Sequence, residues 1–422
     1  MGGDPQAYAG VTSITLGWTT EAHEEPLVAA AIAAIGVMAP HLAMFNDSSS
    51  GTTAQLAGVI TRAMPNMRSL RLVGFALSSV AEGAACACWE ALPCSRLRCL
   101  VLTASELVSG TTVTVPRRVW EGAHWPQLRQ LCGIYLLGDA AAALARGLPS
   151  LECLGAIPQG EWTGAGKAVF ARVRQANLEC CCESFTAHAH ISSLLPSLER
   201  LTLWEECSIT DCSAMSTDLA GATRLTHLVL GTNDGECFSK LQPRAWAALS
   251  TMSRLRHLAL DMTFDEVPQV ARLPPALELL SLNVAQCYFE EHGHVAWMHH
   301  TSGSAIDLCT VLEAAAGLPR LRSLTVKAPG MTHLNHGSLA RLVHAGLGGL
   351  EALVMNGARQ WLKPHDVALL AALPGLRRLH TQPLDHPEYE ILVAEHASRG
   401  LEITGAIDAD DSLQREFEEG WG

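Results

Sequence analysis

The feature that most constrains this chain is a short phrase that it repeats. In Leu195–Trp204 it reads LPSLERLTLW, where Leu198, Leu201 and Leu203 make an L-x-x-L-x-L pattern. Strong copies are MRSLRL (67–72), LRCLVL (97–102), LERLTL (198–203), LTHLVL (225–230), LRHLAL (255–260), LRSLTV (321–326) and LEALVM (350–355). With the frame set on the first position, starts fall at Val11, Ala39, Met67, Leu97, Leu128, Leu151, Val173, Leu198, Leu225, Leu255, Leu277, Leu321, Leu350, Leu376 and Ser398. The copies at 39, 173 and 398 keep the spacing more than the pattern. The mean step is about 28 residues, a period that means stacked repeats.

Alternation inside the phrase reads as a strand, because side chains two apart share a face. Between phrases lie segments that read as helices: DAAAALARGL (139–148), QPRAWAALSTM (242–252), SAIDLCTVLEAAAGL (304–318), GSLARLVHAGL (337–347) and KPHDVALLAAL (363–373). Several follow a proline near the first turn and end at Gly or Leu-Pro. One strand-and-helix unit cannot bury its own apolar face, whereas stacked units bury continuous leucine ladders and pair their strands in parallel.

With this motif and period the chain resembles the leucine-rich repeat family, in its longer, helix-bearing forms such as the ribonuclease-inhibitor-like and cysteine-containing repeats. The resemblance covers nearly the whole chain. It implies an α/β leucine-rich repeat solenoid, a horseshoe with a concave parallel β-sheet and convex helices, acting as a protein-binding platform. The chain departs from the family at the Asn or Cys placed eight residues after the first Leu: only Asn233 fits cleanly, Cys207 lies one residue late, and the internal Asn ladder is mostly absent. The solenoid is expected over 5–407, in about 15 irregular units, with an insertion at 285–303 and an acidic tail over 408–422. The first unit begins without an evident cap, which suggests a degenerate first repeat or a chain derived from a longer one.

Composition narrows the partner and the compartment. The formal net charge of -13 argues against a nucleic-acid backbone or an anionic membrane surface as the main partner. The 14 cysteines sit in a chain far longer than disulfide-dependent secreted scaffolds, and no signal peptide is visible, so reduced thiols in a cytoplasmic protein are expected. The start Met-Gly lacks the Ser or Thr of a myristoylation signal, since residue 6 is Gln. The apolar stretch 26–45 is interrupted by Pro40 and His41 and preceded by Glu21, Glu24 and Glu25, so it reads as a buried helix running into a strand.

Candidate chemistry is sparse. The insertion holds Glu290, Glu291, His292, His294, His299 and His300, but their spacing matches no zinc signature. Cys180, Cys181 and Cys182, followed by His188 and His190, cannot all point into one site, because adjacent side chains diverge. Cys86 and Cys88 read as helix packing. GEWTGAGKAVF (160–170) has Glu161 and Ala168 where a phosphate loop needs Gly and Ser or Thr. No catalytic residue, metal ligand or cofactor site is therefore expected.

The strand frame gives a sharper expectation. If Leu201 and Leu203 face inward, Arg200, Thr202 and Trp204 face the concave surface. The same offsets give a first column of Arg200, His227, His257, Leu279, Ser323, Ala352 and Arg378. The middle column runs Thr202, Val229, Ala259, Ser281, Thr325, Val354 and His380, and the third Trp204, Gly231, Asp261, Asn283, Lys327, Asn356 and Gln382. Arg200, His227 and His257 would form a locally basic, pH-sensitive ladder, with Trp204 as an aromatic anchor. The expected binding set is Arg200, Thr202, Trp204, His227, His257, Asp261, Asn283 and Lys327. The expected function is a non-enzymatic scaffold that binds a protein on its concave sheet. The alternatives are a ubiquitin-ligase substrate-recognition subunit, although VTSITL (11–16) reads as a repeat where an F-box would stand, and a metal-dependent hydrolase site in 285–303.

Overall fold

A computed structural model of the chain describes residues 11–16, 25–39, 42–47, 59–60, 62–64, 66–73, 96–103, 125–159, 169–181, 191–206, 219–232, 241, 243–285, 306–328, 332–333, 337, 340, 347–356, 363–381 and 387–405. It forms two compact units, Met1–Leu203 and Trp204–Gly422. The first carries strands β1 (Ser13–Leu16), β2 (Met44–Asp47), β3 (Ser69–Val73), β4 (Cys99–Thr103), β5 (Gln130–Leu137), β6 (Cys153–Gln159) and β7 (Gln175–Cys181), and β8 (Arg200–Glu206) begins at its end. Its described helices are α1 (Glu25–Met38), α2 (Gly138–Gly147) and the single turn α3 (Ile191–Leu194).

The second unit carries β9 (His227–Thr232), β10 (His257–Thr263), β11 (Leu279–Ala285), β12 (Ile306–Asp307), β13 (Ser323–Lys327), β14 (Thr332–His333), β15 (Ala352–Asn356), β16 (Arg378–Thr381) and β17 (Glu402–Gly405). Its described helices are α4 (Pro243–Thr251), α5 (Leu308–Ala316), α6 (Pro364–Ala371) and α7 (Pro387–Ala397). Within each unit the repeat strands neighbour one another in chain order, and the pairs are parallel. Strands β12 and β14 pair separately as a two-stranded ladder. One parallel strand per repeat, with helices between, is an α/β solenoid-like fold of leucine-rich-repeat type.

A turn explains why the phrase so often begins Leu-Pro-x-Leu. Proline at its second position presets φ for a tight turn, and the fourth residue's N–H returns to the first residue's carbonyl. Leu151 donates to Leu148, Leu198 to Leu195, Leu321 to Leu318 and Leu376 to Leu373, at 3.1–3.2 Å. Each strand then starts two residues past the frame, except in two repeats. The Leu42 N–H donates to the Ala39 carbonyl in the same way (3.1 Å). The second frame therefore starts at Leu42, three residues later than the spacing suggested. The last frame is also late: the turn that follows α7 closes at Gly400, whose φ of +76° suits glycine, and Leu401 rather than Ser398 begins the buried phrase.

Alternation along the strands builds the core. Leu70, Leu100, Leu131 and Leu154 in the first unit are wholly buried, as are Leu228, Leu258, Leu280 and Leu324 in the second. The α2 residues Ala141 and Leu144 and the α4 residues Ala245 and Leu249 are fully buried too, and alanine there allows close approach to the strand layer. Helix α1 departs from expectation. It does run into a strand, but Leu27 and Val37 are 73% and 80% exposed, and within it only Ile32 is buried among the described side chains. No helix of the described residues is long and apolar enough to cross a membrane. The expected helix over 337–347 and the tail over 408–422 lie largely or wholly outside the described residues.

One buried carboxylate ties three segments of the second unit together. Glu266, in the 3-10 segment Phe264–Arg272, accepts from the Leu241 N–H (2.7 Å) and the Trp246 Nε1–H (3.2 Å) on one oxygen. Its other oxygen accepts from the Thr263 N–H and hydroxyl, each at 3.0 Å. Glu266→Ala strands these donors in a dry site and should cost about 3 kcal/mol or more in chemical denaturation. Leu258→Ala should cost about 2–5 kcal/mol. If both variants lost less than about 1 kcal/mol, neither the carboxylate network nor the ladder would hold the unit together.

Candidate functional site

The strand face opposite the leucine ladder of the second unit is set by register. His257 pairs with His227 on β9 and with Leu279 on β11. Two residues on, Ala259 lies beside Val229 and Ser281. Two further, Asp261 lies beside Asn283, which lies beside Lys327 on β13. All of these are half-buried, while Leu258, Leu260 and Leu282 between them are buried.

His227 and His257 are in direct contact. Their ring centroids are 4.0 Å apart with planes at 66°, an edge-to-face arrangement. The Thr226 hydroxyl shares a 2.8 Å hydrogen bond with the His227 Nδ1. At the other end of the same strands, Asp261, Asn283 and Lys327 form a row that passes from negative through neutral to positive. The small side chains of Ala259 and Ser281 lie between the imidazoles and this row. Polar groups thus stand at both ends of this patch of strands.

The other expected residues fall differently. Arg200 and Thr202 are both half-buried and alternate with buried Leu201 and Leu203 on β8. Trp204 lies in that strand, but its side chain is outside the described residues, as is that of Asn356. The face is not uniformly open: Thr325, Ala352 and Val354 are buried, although the offsets placed them on the solvent side. Gln382 lies outside the described residues, as do 286–303, Cys86, Cys88, Cys182, His188, His190 and the glycine-rich stretch 160–168. Among the described residues no group of three His, Cys, Asp or Glu side chains is placed to hold a metal.

Two features escaped the sequence reading. The second position of the phrase carries a charged row where the chain crosses from turn to strand. Exposed ion pairs join Arg129 to Glu152 (3.5 Å) and Arg322 to Glu351 (4.0 Å), and Arg256 meets Glu278. At this exposure each contributes about 0–1 kcal/mol. The other is on the first unit, where the column offsets, extended upstream, place Ser69, Cys99, Gln130 and Cys153 in one row and Arg71, Val101 and Cys132 in the next. The L-x-x-L-x-L frame contained that signal, but columns drawn only from Arg200 onward do not reach it.

No family model matches the chain, and no curated protein matches it. Among solved structures it is similar to a TLR13–ssRNA13 complex at 14% identity and TM-score 0.41, covering 86% of this chain and 50% of that one. It is also similar to the leucine-rich repeat-containing protein LegL7 from Legionella pneumophila, at 16% identity and TM-score 0.37, covering 75% and 94%. A third likeness is to the yeast Rad7 and Elc1 complex, at 13% identity and TM-score 0.36, covering 63% and 76%. This chain thus spans half the length of the TLR13 chain. The repeat architecture is read from the strand register and the buried ladders, independently of these likenesses.

His380, in the middle column on β16, contacts the Thr404 hydroxyl through its Nδ1. Burial pulls its pKa below the ordinary histidine value, the nearby Glu402 opposes that, and Arg378 adds to it. A depressed folded pKa means that the unfolded chain binds the proton more readily. The stabilisation is therefore present above the ordinary histidine range and is lost as pH falls through the folded value. His380→Gln should show a smaller drop in Tm than the parent between pH 7 and pH 5. An equal drop would remove His380 from the acid response.

Proposed function

We propose that the chain is a non-enzymatic scaffold that captures a protein partner on the face of its parallel strands opposite the leucine ladder. The observation that carries this reading is the row of polar side chains that register aligns on β9, β10, β11 and β13. It has an imidazole pair at one end and the Asp261–Asn283–Lys327 row at the other. A mixed-sign row matches a polypeptide, which brings both charges and hydrogen-bonding amides. A polyanion would demand a basic groove instead, and the chain's net charge is -13. Arg200 and Thr202 in the first unit, and Trp204, are proposed as binding residues in their own right. The cytoplasm is the proposed setting, given the unbridged thiols of Cys99, Cys132 and Cys153.

The test is affinity capture with the full chain against a triple variant, His257→Ala, Asp261→Lys and Lys327→Glu. These side chains are half-buried and leave the leucine ladder intact, so Tm should change little. Proteins retained by the parent should fall at least about tenfold on the variant, since losing 1.4 kcal/mol of binding already does that. An Arg320→Glu control, exposed in the turn before β13, should retain them. Equal retention on parent and triple variant would move the binding face elsewhere. Trp204→Ala with Arg200→Glu, tested in the same way, should also lower retention, and unchanged retention would remove these residues from the binding set.

A further inference from the structure

The first unit carries an arrangement of thiols that neither the fold nor the proposed binding face explains. Strand β5 is bulged. Leu131 pairs with Leu154 and Ile134 with Ala156, so Cys132 and Gly133 together oppose Gly155. A bulge of this kind re-aims a side chain, and bulges gather next to functional sites. Two glycines make this one possible. Gly133 has φ of +79°, and a Cβ on it would lie 1.4 Å from the Leu102 carbonyl oxygen. A Cβ on Gly155 would lie 2.9 Å from the Cys132 Cβ and 3.0 Å from its sulfur, so that sulfur lies over the space the missing side chain leaves on β6.

The register sets Cys153 on the neighbouring strand, opposite Gln130 and two residues before the Gly155 that Cys132 overlies. The Gln130 side-chain N–H donates to the Cys132 Sγ at 3.9 Å, while the same amide's oxygen accepts from the Cys99 thiol at 3.3 Å. The Arg71 guanidinium adds positive charge from two strands away. A donor and a cation near one sulfur favour its thiolate. Cys132 is half-buried, and Cys153 on the neighbouring strand is buried.

We propose that Cys132 and Cys153 form a reactive dithiol, a site of oxidative modification in which a peroxide oxidises Cys132 and Cys153 resolves it to a disulfide. The Cys132 thiolate attacks one oxygen of hydrogen peroxide. The S–O bond forms as the O–O bond breaks, giving Cys132–SOH and hydroxide. The Cys153 thiol then attacks the Cys132 sulfur, the S–O bond breaks, and the leaving oxygen departs as water with the thiol's proton. Two electrons pass from the pair of sulfurs to the peroxide, and a low-molecular-weight thiol can return them by exchange.

The environments of the three thiols divide the roles. Hydrogen bonding from Cys153, opposed by burial and aided by Gln130, Gly155 and Arg71, brings the Cys132 thiol below the usual range. The same bond to Cys132, with burial, drives Cys153 well above it. Burial raises Cys99, although the Ser69 hydroxyl and Arg71 oppose the rise. Cys132, the half-buried thiol that the bulge re-aims and the Gln130 amide donates to, is the nucleophile, buried Cys153 the resolving thiol and Cys99 an internal reference.

The full chain, reduced and then exposed to hydrogen peroxide with dimedone present, is alkylated, digested and mapped by mass spectrometry. In the parent a Cys132–Cys153 linked peptide is expected. Cys153→Ser keeps a donor beside Cys132 but cannot resolve it, so dimedone should mark Cys132 about tenfold or more above Cys99 and Cys309. Cys132→Ser should leave Cys153 unmarked at the same dose. The parent experiment needs no variant to fold. A link from Cys132 to any other cysteine, no link at all, or equal marking of Cys132 and Cys99 overturns the proposal.

Discussion

Each repeat places one backbone carbonyl where it accepts from two successive N–H groups of the next repeat. In the second unit the Thr226 carbonyl accepts from Arg256 and His257, Arg256 from Glu278 and Leu279, and Glu278 from Arg322 and Ser323. The series continues from Arg322 to Glu351 and Ala352, and from Glu351 to Arg377 and Arg378, at 2.7–3.1 Å throughout. The first unit has its own series, from Thr12 to Ala43 and Met44 onward to Arg174 with Glu199 and Arg200. A single bond of this kind is worth about 1 kcal/mol net. Its larger effect is on position, because it locks where each strand starts against its neighbour. A slip of one residue would turn every buried leucine to the other face.

The locked register has two products. Inward it stacks leucines into ladders that only neighbouring repeats can complete, which makes stability a property of the stack. Outward it aligns whatever the variable positions hold. On β9 and β10 that is an imidazole pair; on β10, β11 and β13 it is Asp261, Asn283 and Lys327. On β5 the register is broken and the bulge turns Cys132 over Gly155. The backbone of this fold is generic, and its chemistry lies at the positions the leucines leave free.

Much of this was legible in the sequence because the phrase is periodic and strand alternation is strict. The columns His227–His257–Leu279 and Asp261–Asn283–Lys327 fall where the offsets put them. The frame failed where the local signal was a turn rather than a strand, at Ala39, and where a left-handed glycine shifted the last phrase from Ser398 to Leu401. Apolar composition suggested burial for α1, yet Leu27 and Val37 face outward, because composition does not record which face meets a neighbour. The burial of Thr325 and Val354 was illegible for the same reason. The bulge at Gly133 was hidden because it depends on a carbonyl, that of Leu102, contributed by another strand.

The central claim is that register alone decides which residues this protein presents. Hydroxyl-radical footprinting of the full chain, read by mass spectrometry, tests it most directly. The account predicts oxidation at His227 and His257, with Leu228, Leu258 and Leu280 on the same strands unmodified in the native chain and reactive only after denaturation. Native-state oxidation of the leucines with protected histidines would mean that the strands are registered one residue away, and the account would be contradicted.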